Sequence, residues 1–237
     1  MKKILLASMV LAIASCSKQA PPDTSPQPEV NSPPTAAAPV TIDVPAGAYT
    51  LDKTHASLLF RVDHLGFSKY TGRFKSFDAQ LQFYPSDLDA SIITVSVDPK
   101  SLDVENPPAG FVAELIGQNW LDTDQHPELT FRSTSVEVKS PQNVIINGDL
   151  TLHGVTQPIV LDATFNGGYA GHPMDPSARI GFSARGTFKR SDFGIAYGIP
   201  APGTTMGVSD EVEVIVETEF SGPAWTPAGE GSTTPAS

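Results

Sequence analysis

Between Ser57 and His64 the chain alternates strictly enough to name its faces. Leu58, Phe60, Val62 and His64 share one parity, Ser57, Arg61 and Asp63 the other, and Leu59 is the apolar exception. A period of two over that length predicts a strand with one buried and one wet face. Leu65-Gly66-Phe67 interrupts the pattern, and Gly72-Arg73-Phe74 leads into a second apolar-rich run ending near Phe83. The stretch from Tyr49 to Asp78 therefore reads as a strand, an aromatic turn and a returning strand. The rest of the chain repeats that unit. Ile93, Val95 and Val97 alternate with Thr94, Ser96 and Asp98, and Leu129 and Phe131 with Thr130 and Arg132. Val144, Ile146, Leu150 and Leu152 follow, then Ile159, Leu161, Ala163 and Phe165, then Ile180, Phe182, Ala184 and Phe188. The cleanest set is last: Val212, Val214, Val216, Thr218 and Phe220, with Glu211, Glu213, Glu217 and Glu219 between them and Ile215 as the exception.

About eight such strands, joined by segments carrying Gly, Pro, Asn and Asp, predict an all-β, antiparallel fold. Phe111, Glu114, Leu115 and Gln118 sit at helical spacing, so one short helix is expected between Leu102 and Asp122. Parity slips near Ser76 and Ser135 predict bulges, which bend strands around a barrel. The last strand spans about eleven residues, roughly 37 Å. Periodicity admits either a sandwich or a closed barrel. An eight-stranded barrel is either just filled by its side chains or holds one small ligand. Small inward positions at Gly148, Ala163, Ala184 and Gly186 leave that choice open.

The two ends differ from the middle. Lys2 and Lys3 precede an apolar run from Ile4 to Ile13 and then small residues, the layout of a secretory signal over 1–15. The run is too short to cross a bilayer as a helix. Leu11-Ala12-Ile13-Ala14-Ser15-Cys16 resembles the lipobox of bacterial lipoproteins, which implies cleavage before Cys16, acylation of that residue and a membrane anchor. Ser17 in the next position implies the outer membrane. Residues 16–46 then carry Pro21, Pro22, Pro26, Pro28, Pro33, Pro34, Pro39 and Pro45 among Ser, Thr, Ala and Gln, an extended tether with polyproline character. The expected domain is 47–221, and 222–237 has the composition of a disordered tail in which only Trp225 is a candidate for docking.

Charge and cysteine narrow the chemistry. The formal net charge is −11, and loss of Lys2 and Lys3 on cleavage makes the chain more acidic still, which argues against a nucleic-acid partner. Cys16 is the only cysteine, so the domain holds itself by burial rather than by a disulfide. His55 and His64 lie nine apart, on opposite faces of a regular strand, and His-x-His, His-x₃-His and cysteine-pair spacings are missing. No metal site and no cofactor is expected on those grounds. Gly181-Phe182-Ser183-Ala184-Arg185 lacks the second glycine of a nucleophile elbow. His153, in Leu152-His153-Gly154, reads as hairpin geometry.

Five blocks in order carry a family resemblance. Tyr49-x-Leu51-Asp52-x-x-His55, continuing through Phe60-x-Val62-x-His64-Leu65-Gly66-x-Ser68 to Gly72-x-Phe74-x-x-Phe77-Asp78, resembles the opening of the YceI-like family. His126-Pro127-Glu128-Leu129-Thr130-Phe131, Gly148-Asp149-Leu150-Thr151-Leu152-His153-Gly154, Arg190-Ser191-Asp192-Phe193-Gly194 and Val208-Ser209-Asp210-Glu211-Val212 continue it. The resemblance implies a lipocalin-like, eight-stranded antiparallel barrel with one short helix, secreted to the bacterial periplasm. It implies a non-catalytic tunnel for a long apolar chain of isoprenoid type, and it leaves room for a homodimer. The chain departs from the family at Asn106-Pro107-Pro108-Ala109-Gly110-Phe111 and Trp120-Leu121-Asp122, where a changed rim bears on the ligand more than on the barrel.

If the barrel is hollow, its core and its ligand wall are one surface. The candidate ligand-binding residues are then Leu58, Phe60, Val62, Phe67, Tyr70, Phe74, Phe131, Phe182 and Phe188, with His64 and Arg190 as polar members. His64 shares the apolar parity and sits either in the wall or against a ligand headgroup. Arg190 is either surface charge at a strand end or a fork offered to a phosphate or other polar head at the mouth. The rival readings are a filled barrel that binds an envelope protein, and an enzyme with a polar triad at the mouth.

Overall fold

The computed structural model describes residues 43–225 of the chain. The expected signal peptide, Cys16, most of the tether and residues 226–237 lie outside the described residues. The strands are β1 (Gly47–Leu51), β2 (Ser57–His64), β3 (Ser68–Phe74), β4 (Phe77–Phe83), β5 (Ile92–Val97), β6 (Leu102–Val104), β7 (Leu129–Val138), β8 (Asn143–Leu152), β9 (Val155–Tyr169), β10 (Ser177–Lys189) and β11 (Val208–Ala224). One helical turn, α1 (Phe111–Leu115), stands where the 3.6 spacing placed it.

These strands assemble as eight staves. β1 and β2 are one stave interrupted by the 3₁₀ turn Lys53–His55, and β5 and β6 are another interrupted by Pro99–Ser101. β3 and β4 form a third, broken at Lys75 and Ser76. β1 pairs with β4 and β2 with β3, while β4 pairs with β5 and β3 with β6. From β5 the order runs through β7, β8, β9 and β10 to β11, and β11 pairs with both β1 and β2. Every pairing is antiparallel and the ring is closed, so a barrel rather than a sandwich forms. Closure removes the open edges that a sheet of this size would otherwise expose, apart from the short far side of β6.

The parity slips have two outcomes. At Ser135 the β7–β8 register shifts between Ser133 and Ser135, the expected bulge. At Ser76 there is no bulge but a break in the stave. The neighbouring 3₁₀ turn fills it: Lys75 N–H donates to the Ser101 carbonyl at 3.2 Å, and Ser76 N–H donates to Ser101 Oγ at 3.0 Å. The two apolar exceptions, Leu59 and Ile215, face each other across β2 and β11 on the outer parity. Their cross-strand neighbours are Arg73 and Arg185, and Ile215 is buried. The aliphatic stems of arginines cover such positions well.

Two packed clusters close the barrel interior. One, at the end where β1 begins, gathers Tyr49, Leu51, Phe83, Ile180 and Phe220 with Val44. Val44 and Pro45 thus belong to the domain, since Tyr49 Oη also donates to the Pro45 carbonyl at 2.7 Å. The domain therefore starts ahead of the expected 47 and includes at least Val44 and Pro45. It also extends beyond 221, because β11 continues to Ala224 and Trp225 N–H donates to the Pro176 carbonyl. The second cluster holds Phe131, Leu152, Ile159, Phe193 and Ile195 at the other end. Between them, inward side chains such as Phe60, Val95, Val144 and Val214 are only half-buried, because they face an open interior.

Candidate functional site

The interior is a cavity of about 650 Å³, within the range of small-molecule sites. It extends from the β7–β8 turn, where Pro141 and Gln142 line it, to the opposite end at Pro108, Phe111 and Trp120. From β2, Leu58, Phe60 and Val62 line one wall, faced across the hairpin by Tyr70 and Phe74 of β3. Phe131 of β7 and Phe182 and Phe188 of β10 line the remainder. His64 lies at the rim, exposed, with its ring 6.4 Å from that of Tyr70.

Two aromatic wall positions are set by missing side chains opposite them. Phe60 pairs across strands with Gly72, whose Cβ, if it had one, would lie 2.4 Å from the Phe60 ring. Gly148 pairs with Ser133 rather than with Phe131, but it lies diagonally under the Phe131 ring, which is 2.3 Å from where its Cβ would stand. Each ring therefore lies flat over a neighbouring backbone instead of projecting across the lumen.

Phe67 is not on this wall. Leu65 and Gly66 take left-handed conformations (φ 55° and 72°) to turn the β2–β3 hairpin, and Phe67 emerges beyond the last cross-strand pair at 84% exposure. Its expected place in the site is corrected on that ground: it is a residue of the turn, and turn residues escape the alternation that sorts strand positions.

Arg190 lines the cavity but does not offer a free fork. It is 4% exposed, and its guanidinium donates to four backbone carbonyls: Ser209 at 2.9 Å, Val208 at 2.9 Å, Ile195 at 3.0 Å and Tyr197 at 2.8 Å. Its carbon Cζ lies 5.0 Å from the centroid of the Trp120 ring. Burial lowers its pKa from the ordinary range, and Asp210 opposes that shift. Arg190 thus ties the 190–209 segment together under Trp120, and the reading of it as a headgroup ligand is corrected.

The end with α1 is covered by a loop. β6 pairs with β3 on one side and with no strand on the other among the described residues. Segment 105–128 spans that side, and Pro108, Phe111, Leu115, Trp120 and Leu121 turn inward to the cavity. The loop is braced internally: Leu121 N–H donates to Leu115, and Thr123 N–H and Oγ1 donate to Ile116. Trp120 Nε1–H is buried with no acceptor among the described residues. An unmet donor of this kind costs about 1–3 kcal/mol. These loop residues were missed as site members. The helical spacing of Phe111 and Leu115 was visible, and Pro108, Phe111, Trp120 and Leu121 stood in the changed rim, but nothing in either signal says which end of a barrel the segment covers.

Two groups of metal-competent side chains also come together, contrary to the expectation from spacing: Asp122, His126 and His153, and Asp52, His55 and Glu219. The second is an ion-pair network. Asp52 accepts from Thr54 Oγ1 at 2.6 Å, from His55 Nδ1 at 3.0 Å and from Arg179 at 2.8 Å. The bond from Thr54, followed by that from His55, holds the Asp52 carboxyl well below the usual carboxylate range. Its hydrogen bond to Asp52 in turn raises the pKa of His55.

Residues 49–220 match the YceI-like domain family. A UPF0312 protein of Vibrio cholerae is 35% identical over 187 residues, covering 77% of this chain and 93% of that protein. The solved YceI protein of Campylobacter jejuni is 30% identical with a TM-score of 0.57, over 74% of this chain and 98% of that one. A polyisoprenoid-binding domain of Saccharophagus degradans, implicated in plant cell wall breakdown, superposes with a TM-score of 0.54 over 74% of this chain and 98% of its own. At 16% identity that last likeness shows the fold alone.

Proposed function

The chain belongs to the YceI-like domain family, and from that premise we propose that it binds and sequesters one long-chain lipid of isoprenoid type in its barrel. The observation that carries the reading is the cavity: about 650 Å³, running between the two ends of the barrel and lined almost entirely by apolar side chains. The Saccharophagus domain is described as polyisoprenoid-binding, and the same ligand class suits this cavity on its own chemistry. Ten newly buried methylenes would contribute roughly 8 kcal/mol of transfer free energy. That figure alone corresponds to about micromolar affinity, and ordering and immobilisation reduce it, so a chain that buries more than ten methylenes is needed to hold the complex in the micromolar range. Arg190 is saturated by carbonyls and His64 sits only at the rim, so among the described residues the lumen presents no free cation to compensate a buried phosphate. The lipid is therefore neutral, or keeps its head outside at the His64 end. The role is binding rather than catalysis.

The setting we propose is the bacterial envelope, facing the periplasm, with an acylated Cys16 anchoring the chain at the outer membrane. The lipobox-like string and the proline-rich tether support it. Titration with a defined polyprenol, followed by fluorescence displacement, tests the binding site. Val62→Asp places a carboxylate on the wall and should reduce uptake at least tenfold while the circular dichroism of the barrel is retained. Unchanged uptake by a folded Val62→Asp protein would place the lipid elsewhere.

A further inference from the structure

We propose that Asp122, His126 and His153 form a binding site for one divalent ion of the borderline class, Zn²⁺ foremost, which clamps the covering loop to the β8–β9 hairpin. The side chains come from two places. Asp122 and His126 belong to the end of segment 105–128, where Gln125 N–H and His126 N–H both donate to the Asp122 carbonyl, at 3.0 and 2.9 Å. That turn brings the side chains at i and i+4 to one side. His153 comes from the tip of the hairpin that joins β8 to β9. One donor atom from each residue lies within 4.8 Å of the other two. Donors around a tetrahedral Zn²⁺ lie about 3.3 Å apart, at ligand distances of about 2.0 Å. Small rotations of the two imidazoles and the carboxylate close the difference.

Several features hold the three groups as ligands are held. His153 Nδ1 is 3.1 Å from the Phe193 carbonyl, so it carries the ring proton and Nε2 keeps its lone pair. A backbone carbonyl in that position is the usual orienting partner of a metal-bound histidine. His126 packs against Gly154, where a Cβ would lie 2.5 Å from its Cε1, and the two imidazoles meet edge to face at 4.8 Å. Asp122 and His153 both adopt left-handed backbone, with φ 42° and 53°. At the first position of a two-residue hairpin turn Asn, Asp or Gly is favoured. Histidine enters the left-handed region more readily than most residues, so the turn presents the His153 ring at the tip of the hairpin without large strain. All three residues are half-buried. No side-chain hydrogen bond or ion pair among the described residues engages the Asp122 carboxylate or the His126 ring, whereas the Asp52–His55–Glu219 group is already bound to Arg179. Two imidazoles and one carboxylate suit Zn²⁺, Co²⁺ or Ni²⁺ rather than Ca²⁺ or Mg²⁺.

The consequence is mechanical. The loop that carries Asp122 and His126 also carries Phe111 and Trp120 to the cavity. An ion at this site therefore fixes the cover of that end, independently of what the cavity holds. The test uses the full chain carrying Cys16→Ser, stripped with chelator and titrated with Zn²⁺ by calorimetry near neutral pH. One ion should bind per chain and raise Tm. His126→Gln and Asp122→Asn should each weaken binding at least tenfold, and His55→Gln should leave it unchanged. Co²⁺ on the protein with its ligands intact provides a readout that needs no variant, since a site of nitrogen and oxygen ligands gives intensified visible absorption compared with the hydrated ion. The proposal is overturned by absence of stoichiometric binding, by a hydrated-ion Co²⁺ spectrum, or by binding that survives His126→Gln and is lost with His55→Gln.

Discussion

Gly148 and Arg190 show how single residues shape this lumen. Gly148 lets the Phe131 ring lie against β8, but a Cβ there would also stand 2.6 Å from the Arg132 carbonyl, which cannot swing aside as a ring can. Gly148→Ala should therefore destabilise the barrel by about 1–3 kcal/mol, the usual cost of overpacking, measured by urea denaturation. The nearest atoms to a Cβ at Gly72 belong to the Phe60 ring and the Val104 side chain, which can shift, so Gly72→Ala should cost less and narrow the cavity instead. Arg190 acts on its own chain. Its planar fork reaches four carbonyls at positions 195–209, and an ammonium on a flexible stem has three donors and no fork. Arg190→Lys should lower Tm and speed proteolysis within 190–207; an unchanged Tm would show that those carbonyls find other donors.

At the scale of elements, the joints between half-staves are where the barrel depends on charge. Asp52 caps the 3₁₀ turn between β1 and β2 and accepts from Arg179 of β10, across the width of β11. Its folded-state pKa is depressed, mainly by the hydrogen bond from Thr54 and then by that from His55. Its stabilisation is therefore complete above the unfolded value near 4 and is lost as pH falls below it. Asp52→Asn should cost about 1.5–3 kcal/mol at pH 7, the scale of hydrogen bonds to a charged group. The difference from the unsubstituted protein should shrink progressively below pH 4; a difference independent of pH would mean that the carboxylate's charge contributes nothing. The strands themselves were legible in the alternation, down to Leu59 and Ile215, the two exceptions that pair with each other. The joints were not. Alternation reports which way a side chain points, but not that pairing passes from β3 to β4 at Ser76, since that depends on Ser101 in a neighbouring stave.

Across the whole molecule, the same division separates what the residues announced from what they concealed. Leu58, Phe60, Val62, Tyr70, Phe74, Phe131, Phe182 and Phe188 reached the cavity because each lies on the inward parity of a strand that bends around the ring. Phe67 did not, because it lies in a turn, and Arg190 lost its expected role to carbonyls that only the folded 190–209 segment brings near. The cover and the Asp122–His126–His153 group depend on a loop meeting a hairpin, which no periodicity records. Hollowness was equally hidden, since an apolar face fits a filled barrel as well as an open one. The most direct measurement of the central claim is therefore of contents. The chain from Ser17 onward, expressed in a bacterial host behind a cleavable signal peptide and purified without detergent, is extracted with organic solvent and analysed by mass spectrometry. The account predicts about one isoprenoid-type lipid per chain, and little or none from a folded Phe60→Asp protein prepared in the same way. A protein that yields no lipid and takes up no added polyprenol would contradict it.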